Sequence, residues 1–171
     1  LIDQLMYMYD AKVTEVFCKM YSVYYPDVDD NFHLTLTFDN GITAHIEVAT
    51  NNFINHPRWY VVGKNGTIQI DGWEATGKAV CCKTREDTWG AEIKKNKVGP
   101  SKTMAPRTDE TIKEFPLEKI EVKWADYYNN IYDCLRNGAK PLITHAQQVR
   151  LMRLMEAIFE SAEKNTVIYF E

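Results

Sequence analysis

Several things are missing from this chain. No apolar run approaches the roughly 18 to 20 residues of a membrane-spanning helix, so no membrane partner is expected. No basic segment leading into an apolar stretch opens the sequence, and no secretory signal is therefore expected. Basic charge is not in excess. The 171 residues carry 20 Lys and Arg against 24 Asp and Glu, a formal net charge of −4. A nucleic-acid partner, which needs a basic face, is not expected. The four cysteines, Cys18, Cys81, Cys82 and Cys134, form no C-x-x-C, which argues against a zinc site. They read as free thiols suited to a reducing cytoplasm. G-x-S-x-G, H-E-x-x-H, the phosphate-loop signature and G-x-G-x-x-G are all absent, so no catalytic residue can be assigned by motif.

Alternation is what the chain does have. Phe32, Leu34, Leu36 and Phe38 alternate with His33, Thr35 and Thr37, and Ile42, Ala44, Ile46 and Val48 alternate with Thr43, His45 and Glu47. A two-residue turn at Asn40-Gly41 would pair Phe38 with Thr43 and mix the faces. A three-residue loop, Asp39-Asn40-Gly41, pairs Phe38 with Ile42, Leu36 with Ala44 and Leu34 with Ile46. That loop predicts a type I turn and a G1 bulge with Gly41 left-handed. A second hairpin follows, with Trp59 and Val61 matched to Ile68 and Ile70. A type I′ turn at Asn65-Gly66 is expected there. Gly63-Lys64-Asn65-Gly66 is not read as a phosphate loop, because a strand rather than a helix follows it.

Around the hairpins, residues 1–9 read as a short helix with Leu1, Leu5 and Met8 on one stripe. Ala11 to Tyr25 reads as a long strand, and Lys78 to Thr84 as another. Residues 85–116 look irregular, with an edge strand at Leu117 to Val122. Two helices are expected near the end. The first, about Lys123 to Asn137, turns Trp124, Tyr127, Tyr128, Ile131 and Leu135 to its apolar side and stops at Gly138. The second, about His145 to Lys164, has a capping box at Thr144 and Gln147 and a core stripe of Val149, Met152, Met155, Phe159 and Ala162. A short strand at Val167 to Phe170 ends the chain. The expectation is one α+β domain over 1–171: a mostly antiparallel, twisted sheet with helices packed on one face.

The other face carries Thr35, Thr37, Thr43 and His45, with Phe17 and Tyr21 extending it. Small, amphipathic and mostly uncharged, it is the candidate surface for a homodimer. His33 and His45 share that face but lack a third ligand, so no metal is expected, and His33 with Glu47 reads as a cross-strand polar pair. Asn51, Asn52 and Arg58 flank a Pro-containing turn and are candidates for contact with a small-molecule substrate. Arg107 could clamp an anionic group. Asp3 lies at the start of the first helix, where a carboxylate suits the helix dipole.

In this order and spacing, three motifs resemble one family. Leu1-Ile2-Asp3-Gln4-Leu5 resembles the end of an H-x-x-D segment, with Asp3 at its last position. Asp29-Asp30, followed by Phe38-Asp39-Asn40-Gly41, resembles a "DD … F-x-N-G" strand pair. Gly63-Lys64-Asn65-Gly66-Thr67-Ile68 resembles a "G-x-x-G-x-I" hairpin. The two closing helices fit as well. The likeness, which covers essentially the whole chain, is to the C-terminal α/β domain of the Gfo/Idh/MocA oxidoreductases: glucose–fructose oxidoreductase, inositol dehydrogenase and their relatives. It implies a substrate-binding and oligomerisation half whose partner is an N-terminal Rossmann domain holding NAD or NADP. The family's lysine and its catalytic Asp and His would precede Leu1. Asp3 would then border the active site, and this chain alone would neither hold the cofactor nor transfer hydride to or from a sugar-like substrate. The contrasting expectation, from a non-enzyme class, is a stand-alone ligand-binding or dimerisation module.

Overall fold

The computed structural model describes residues 1–9, 11–83, 91–104 and 109–170, with side chains for all of these except 91–96 and 100–104. Three helices and ten strands occur among the described residues. In chain order they are α1 (Ile2–Met8), β1 (Val13–Tyr21), β2 (Asn31–Phe38), β3 (Thr43–Ala49), β4 (Trp59–Val62), β5 (Gly66–Asp71), β6 (Thr76–Cys82), β7 (Ala91–Asn96), β8 (Gly99–Met104), β9 (Ile112–Pro116), α2 (Trp124–Asn137), α3 (His145–Lys164) and β10 (Ile168–Tyr169). The chain divides into two compact units, one of residues 1–53 with 123–171 and one of residues 54–122.

The first unit is an antiparallel sheet in the order β10-β1-β2-β3. Its central pairing follows the alternation, with Leu34 opposite Ile46, Leu36 opposite Ala44, Thr35 opposite His45 and His33 opposite Glu47. The Phe38 amide donates to the Ile42 carbonyl at 2.9 Å, and Gly41 sits at φ 81°. This is the three-residue loop with a left-handed glycine that parity predicts. One face carries Val16, Cys18, Leu34, Leu36 and Ile46, all buried. Leu154, Ala157 and Ile158 of α3 are buried as well. Together these residues form the core.

That stripe of α3 differs from the one expected. Val149, Met152 and Phe159 are exposed, and the buried set is Leu154, Ala157, Ile158 and Ser161. The helix has apolar residues around much of its circumference, and contact with β1 selects one side. Ser161, fully buried, explains why that side can carry a polar residue. Its hydroxyl accepts from the Cys18 amide at 2.9 Å and donates to the Thr166 carbonyl at 2.6 Å. It thereby satisfies two backbone groups where the short pairing of β1 with β10 has ended. The capping box at Thr144 and Gln147 forms as predicted, and Gly138 closes α2 at φ 68°. None of α2 is buried, and Trp124 is 89% exposed. Its expected apolar side therefore takes no part in the core. In α1 the buried pair is Leu5 and Met6, while Leu1 and Met8 are exposed. The Arg150 guanidinium ties α1 to α3 by donating to the Met6 carbonyl at 2.9 Å.

The second unit holds an antiparallel sheet in the order β4-β5-β6-β9 and a separate β7-β8 hairpin. Trp59 faces Ile70 and Val61 faces Ile68, as expected. The turn lies one residue earlier than expected. Gly63 donates to the Gly66 carbonyl at 2.8 Å, so Lys64 and Asn65 form the loop. Neither has a positive φ, which excludes type I′. Gly66 is a glycine for a different reason: a Cβ there would lie 2.7 Å from the Val80 carbonyl oxygen on the adjacent strand. Residues 85–116 are also less irregular than expected, since they contain β7, β8 and β9. No strand is found at 117–122.

Candidate functional site

Period-two geometry lays the outer face of the first unit's sheet out in cross-strand rows. Glu15, Thr37 and Thr43 form one row, and Phe17, Thr35 and His45 the next. Lys19, His33 and Glu47 follow, and Tyr21, Asn31 and Ala49 complete the set. All six residues proposed for a dimer face, Phe17, Tyr21, Thr35, Thr37, Thr43 and His45, fall on this side. Thr35 Oγ1 lies 3.1 Å from His45 Nδ1. The Tyr21 and His33 rings meet edge to face, with centroids 5.7 Å apart.

At the Tyr21 end the face sinks into an open pocket of about 310 Å³, lined by Tyr21, Val23, Asn31, His33, Glu47, Ala49, Asn51 and Asn52. Asn31 lines it, and the adjacent Asp30 braces the turn that carries Val23. The Asp30 carboxylate accepts from the Val23 amide at 2.9 Å and the Tyr24 amide at 2.7 Å. These backbone bonds, Val23 first, hold its carboxyl below the usual range, and the Asn31 carboxamide adds to the effect. Asn31 is buried. It donates to Asp30, and its Oδ1 accepts from the Thr50 amide at 3.0 Å. One clamp thus fixes the turn that carries Val23 and the segment that carries Asn51 and Asn52. From the sequence, Asp30 stands out only as half of the Asp29-Asp30 pair, and Asn31 not at all. The available signal was an Asp directly before a strand whose side chain can cap nearby amides.

The pocket brings together Asn51 and Asn52 of the expected substrate contacts and adds His33, Glu47 and Tyr21. Arg58 is not among its lining residues. Arg58 belongs to the second unit, where its guanidinium stacks 3.8 Å from the Trp73 ring centroid. Asp3 is exposed in the first turn of α1. Arg107 lies outside the described residues. Among the described residues no three His, Cys, Asp or Glu side chains gather as a metal would require, and no helix is long and apolar enough to cross a membrane. Besides Asn31, which the clamp engages, two carboxamides, an imidazole and a carboxylate around an aromatic wall can exchange hydrogen bonds with a hydroxyl-bearing ligand of modest size. Nothing in that set is an activated nucleophile.

The α+β sheet-and-helix arrangement defines a dehydrogenase C-terminal-type domain. The family model described as "Oxidoreductase family, C-terminal alpha/beta domain" matches residues 1–170, and the chain belongs to this Gfo/Idh/MocA family. It is similar to scyllo-inositol 2-dehydrogenase (NADP(+)) IolW of Bacillus subtilis, with 27% identity over 145 residues, 83% of this chain and 39% of that one. A crystal structure of an NAD-binding protein from Listeria innocua superposes with a TM-score of 0.84 and 37% identity, over 99% of this chain and 49% of that one. Aldose–aldose oxidoreductase from Caulobacter crescentus shares the fold, with a TM-score of 0.68 and 17% identity over 99% of this chain and 44% of that one. The chain therefore spans less than half the length of each of these relatives.

Proposed function

We propose that this chain is the substrate-binding and dimerisation domain of an NAD(P)-dependent oxidoreductase acting in the cytoplasm on a sugar, an inositol or a related carbinol. The observation that carries the reading is the pocket: in a chain of this family, the Asp30–Asn31 clamp presents Asn51 and Asn52 beside His33, Glu47 and Tyr21. Carboxamides donate and accept at once, which suits a ligand with a hydroxyl on successive carbons. The family match spans both compact units, in keeping with one functional domain over 1–171.

Bound NAD or NADP supplies the hydride acceptor or donor. The described residues do not fit a dinucleotide: the glycine-paired turn Gly63 to Gly66 passes into β5 and not into a helix N-terminus. Cofactor binding is assigned to a separate Rossmann domain, as the greater length of the relatives allows. In the longer protein this domain would orient the substrate. Asp3 would border the reacting carbon, and Arg58 and Arg107 would offer further polar contacts.

The test is an amide-detected NMR titration of the chain with a panel of inositols and aldoses, and separately with NADH. The expected result is a saturable shift at residues 47–52 with at least one polyol, weakened about tenfold by Asn51→Ala or Asn52→Ala, the scale of one lost hydrogen bond. Silence across the panel, or tight saturable binding of NADH, would contradict the reading.

A further inference from the structure

The outer face of the first unit's sheet has a charge pattern that is its own complement. Along β1 the outward side chains at two-residue steps are Glu15, Phe17 and Lys19: negative, aromatic, positive. Glu15 and Lys19 are half-buried, and among the described residues neither makes a hydrogen bond or ion pair within its own protomer. The matching residues of β2 are Thr37, Thr35 and His33, and those of β3 are Thr43, His45 and Glu47.

We propose that a second copy of this chain packs on this face about a two-fold axis that runs across the strands along the Phe17–Thr35–His45 row. The proposal rests on the dimer reading above and adds its register. A half-turn about such an axis keeps that row over itself and exchanges the rows on either side. Glu15 then faces the partner subunit's Lys19, and Lys19 faces the partner subunit's Glu15. Thr43 faces the partner subunit's Glu47, and Thr37 faces the partner subunit's His33. Phe17 meets its symmetry mate at the centre. Sheets that pack face to face lie about 10 Å apart, within reach of paired Glu and Lys side chains. An isologous contact of this kind closes as a dimer.

The strand-crossing axis is preferred because the opposite charges it pairs lie on one strand. The match therefore does not depend on which strand is central. An axis parallel to the strands through β2 would instead set Lys19 against the partner subunit's Glu47. Under the preferred axis the Tyr21 row falls outside the matched rows, so the partner covers the His33 and Glu47 side of the pocket and leaves the side of Tyr21, Asn51 and Asn52 open.

Sedimentation velocity at moderate salt tests the register. Wild type should be a dimer. Glu15→Lys and Lys19→Glu should each weaken it about a hundredfold or more, because like charges then meet twice. The circular dichroism spectrum should barely move, whereas the melting temperature should fall with loss of the dimer and cease to depend on protein concentration. The double variant E15K/K19E should recover the dimer, and an equimolar mixture of the two single variants should form one-to-one dimers. A dimeric wild type that is indifferent to these changes, or whose Lys19→Glu variant is rescued by Glu47→Lys and not by Glu15→Lys, overturns the register and leaves the dimer reading intact. A monomeric wild type overturns both.

Discussion

The two compact units are built from the same elements and stabilised differently. The sheet of residues 1–53 has a helix behind it and a dry layer between them, in which Val16, Leu36 and Leu154 are fully buried. Among the described residues of 54–122 none is buried, although Trp59, Val61, Ile68 and Ile70 are aligned across a regular ladder. Backbone pairing gives both units their shape. Among the described residues, the first alone also has the burial of apolar area that dominates folding free energy. The lesson concerns function as much as stability. The pocket and the self-complementary face both stand on the unit that has its own core, where side chains can be held still enough to recognise something.

That contrast can be broken most forcefully by changing volume. Leu154→Ala opens a cavity in the filled layer and should cost about 2–5 kcal/mol. Ile70→Ala, in a half-exposed position, should cost about 1 kcal/mol or less. Urea denaturation of the two variants measures the difference, and equal losses would erase the distinction. The second unit should be sensitive to the opposite change. At Gly77 an added Cβ would collide with the Gln69 carbonyl on the neighbouring strand. Gly77→Ala should therefore cost about 1–3 kcal/mol as the strands are forced apart. A neutral result would mean that β5 and β6 are not held at this spacing in solution.

A smaller effect belongs to the first unit alone. Burial, with the nearby negative charge of Asp29 adding to it, pushes the Cys18 thiol from 9.0 up to about 11. The folded state therefore holds this proton more tightly than the unfolded state. The stability that follows is fully present below pH 9 and is lost as pH rises from 9 to about 11, where the unfolded thiol ionises first. In that window the slope approaches about 1.4 kcal/mol per pH unit. The difference in unfolding free energy between wild type and Cys18→Ala isolates it from other groups that titrate there. A difference that stays constant from about pH 8 to about pH 11 would contradict a buried neutral thiol.

Legibility in the sequence divides along physical lines. Period-two alternation fixed the first hairpin down to Gly41, because only one loop length kept Leu34, Leu36 and Phe38 on the face of Ile46, Ala44 and Ile42. Local chemistry also announced the Thr144–Gln147 box and Gly138. At Gly66 the inference failed. A glycine beside an asparagine reads as a turn, yet pairing Trp59 with Ile70 and Val61 with Ile68 already requires the loop at Lys64 and Asn65, and the small size of Gly66 is needed by the Val80 carbonyl of a strand still to come. The α3 stripe failed for a related reason. Val149, Met152 and Phe159 are as periodic as Leu154, Ala157 and Ile158, and the buried Ser161 counts against the true side until its two backbone partners are known. Of the residues lining the candidate pocket, Asn51 and Asn52 stood out in the sequence as polar residues near a turn. The clamp behind them was legible only in part: Asp30 could be seen as a cap for the nearby amides of Val23 and Tyr24, but the bond from the Thr50 amide to Asn31 joins residues 19 apart that only strand pairing brings together.

Native-state hydrogen exchange on the intact chain tests most directly the claim that the first unit is the stable platform for recognition. Amides of β1, β2 and α3 should exchange slowest, at rates set by global unfolding, and amides of β4, β5 and β6 should open at least about tenfold more readily. Equal protection in the two sheets, or slower exchange in the second, would contradict it.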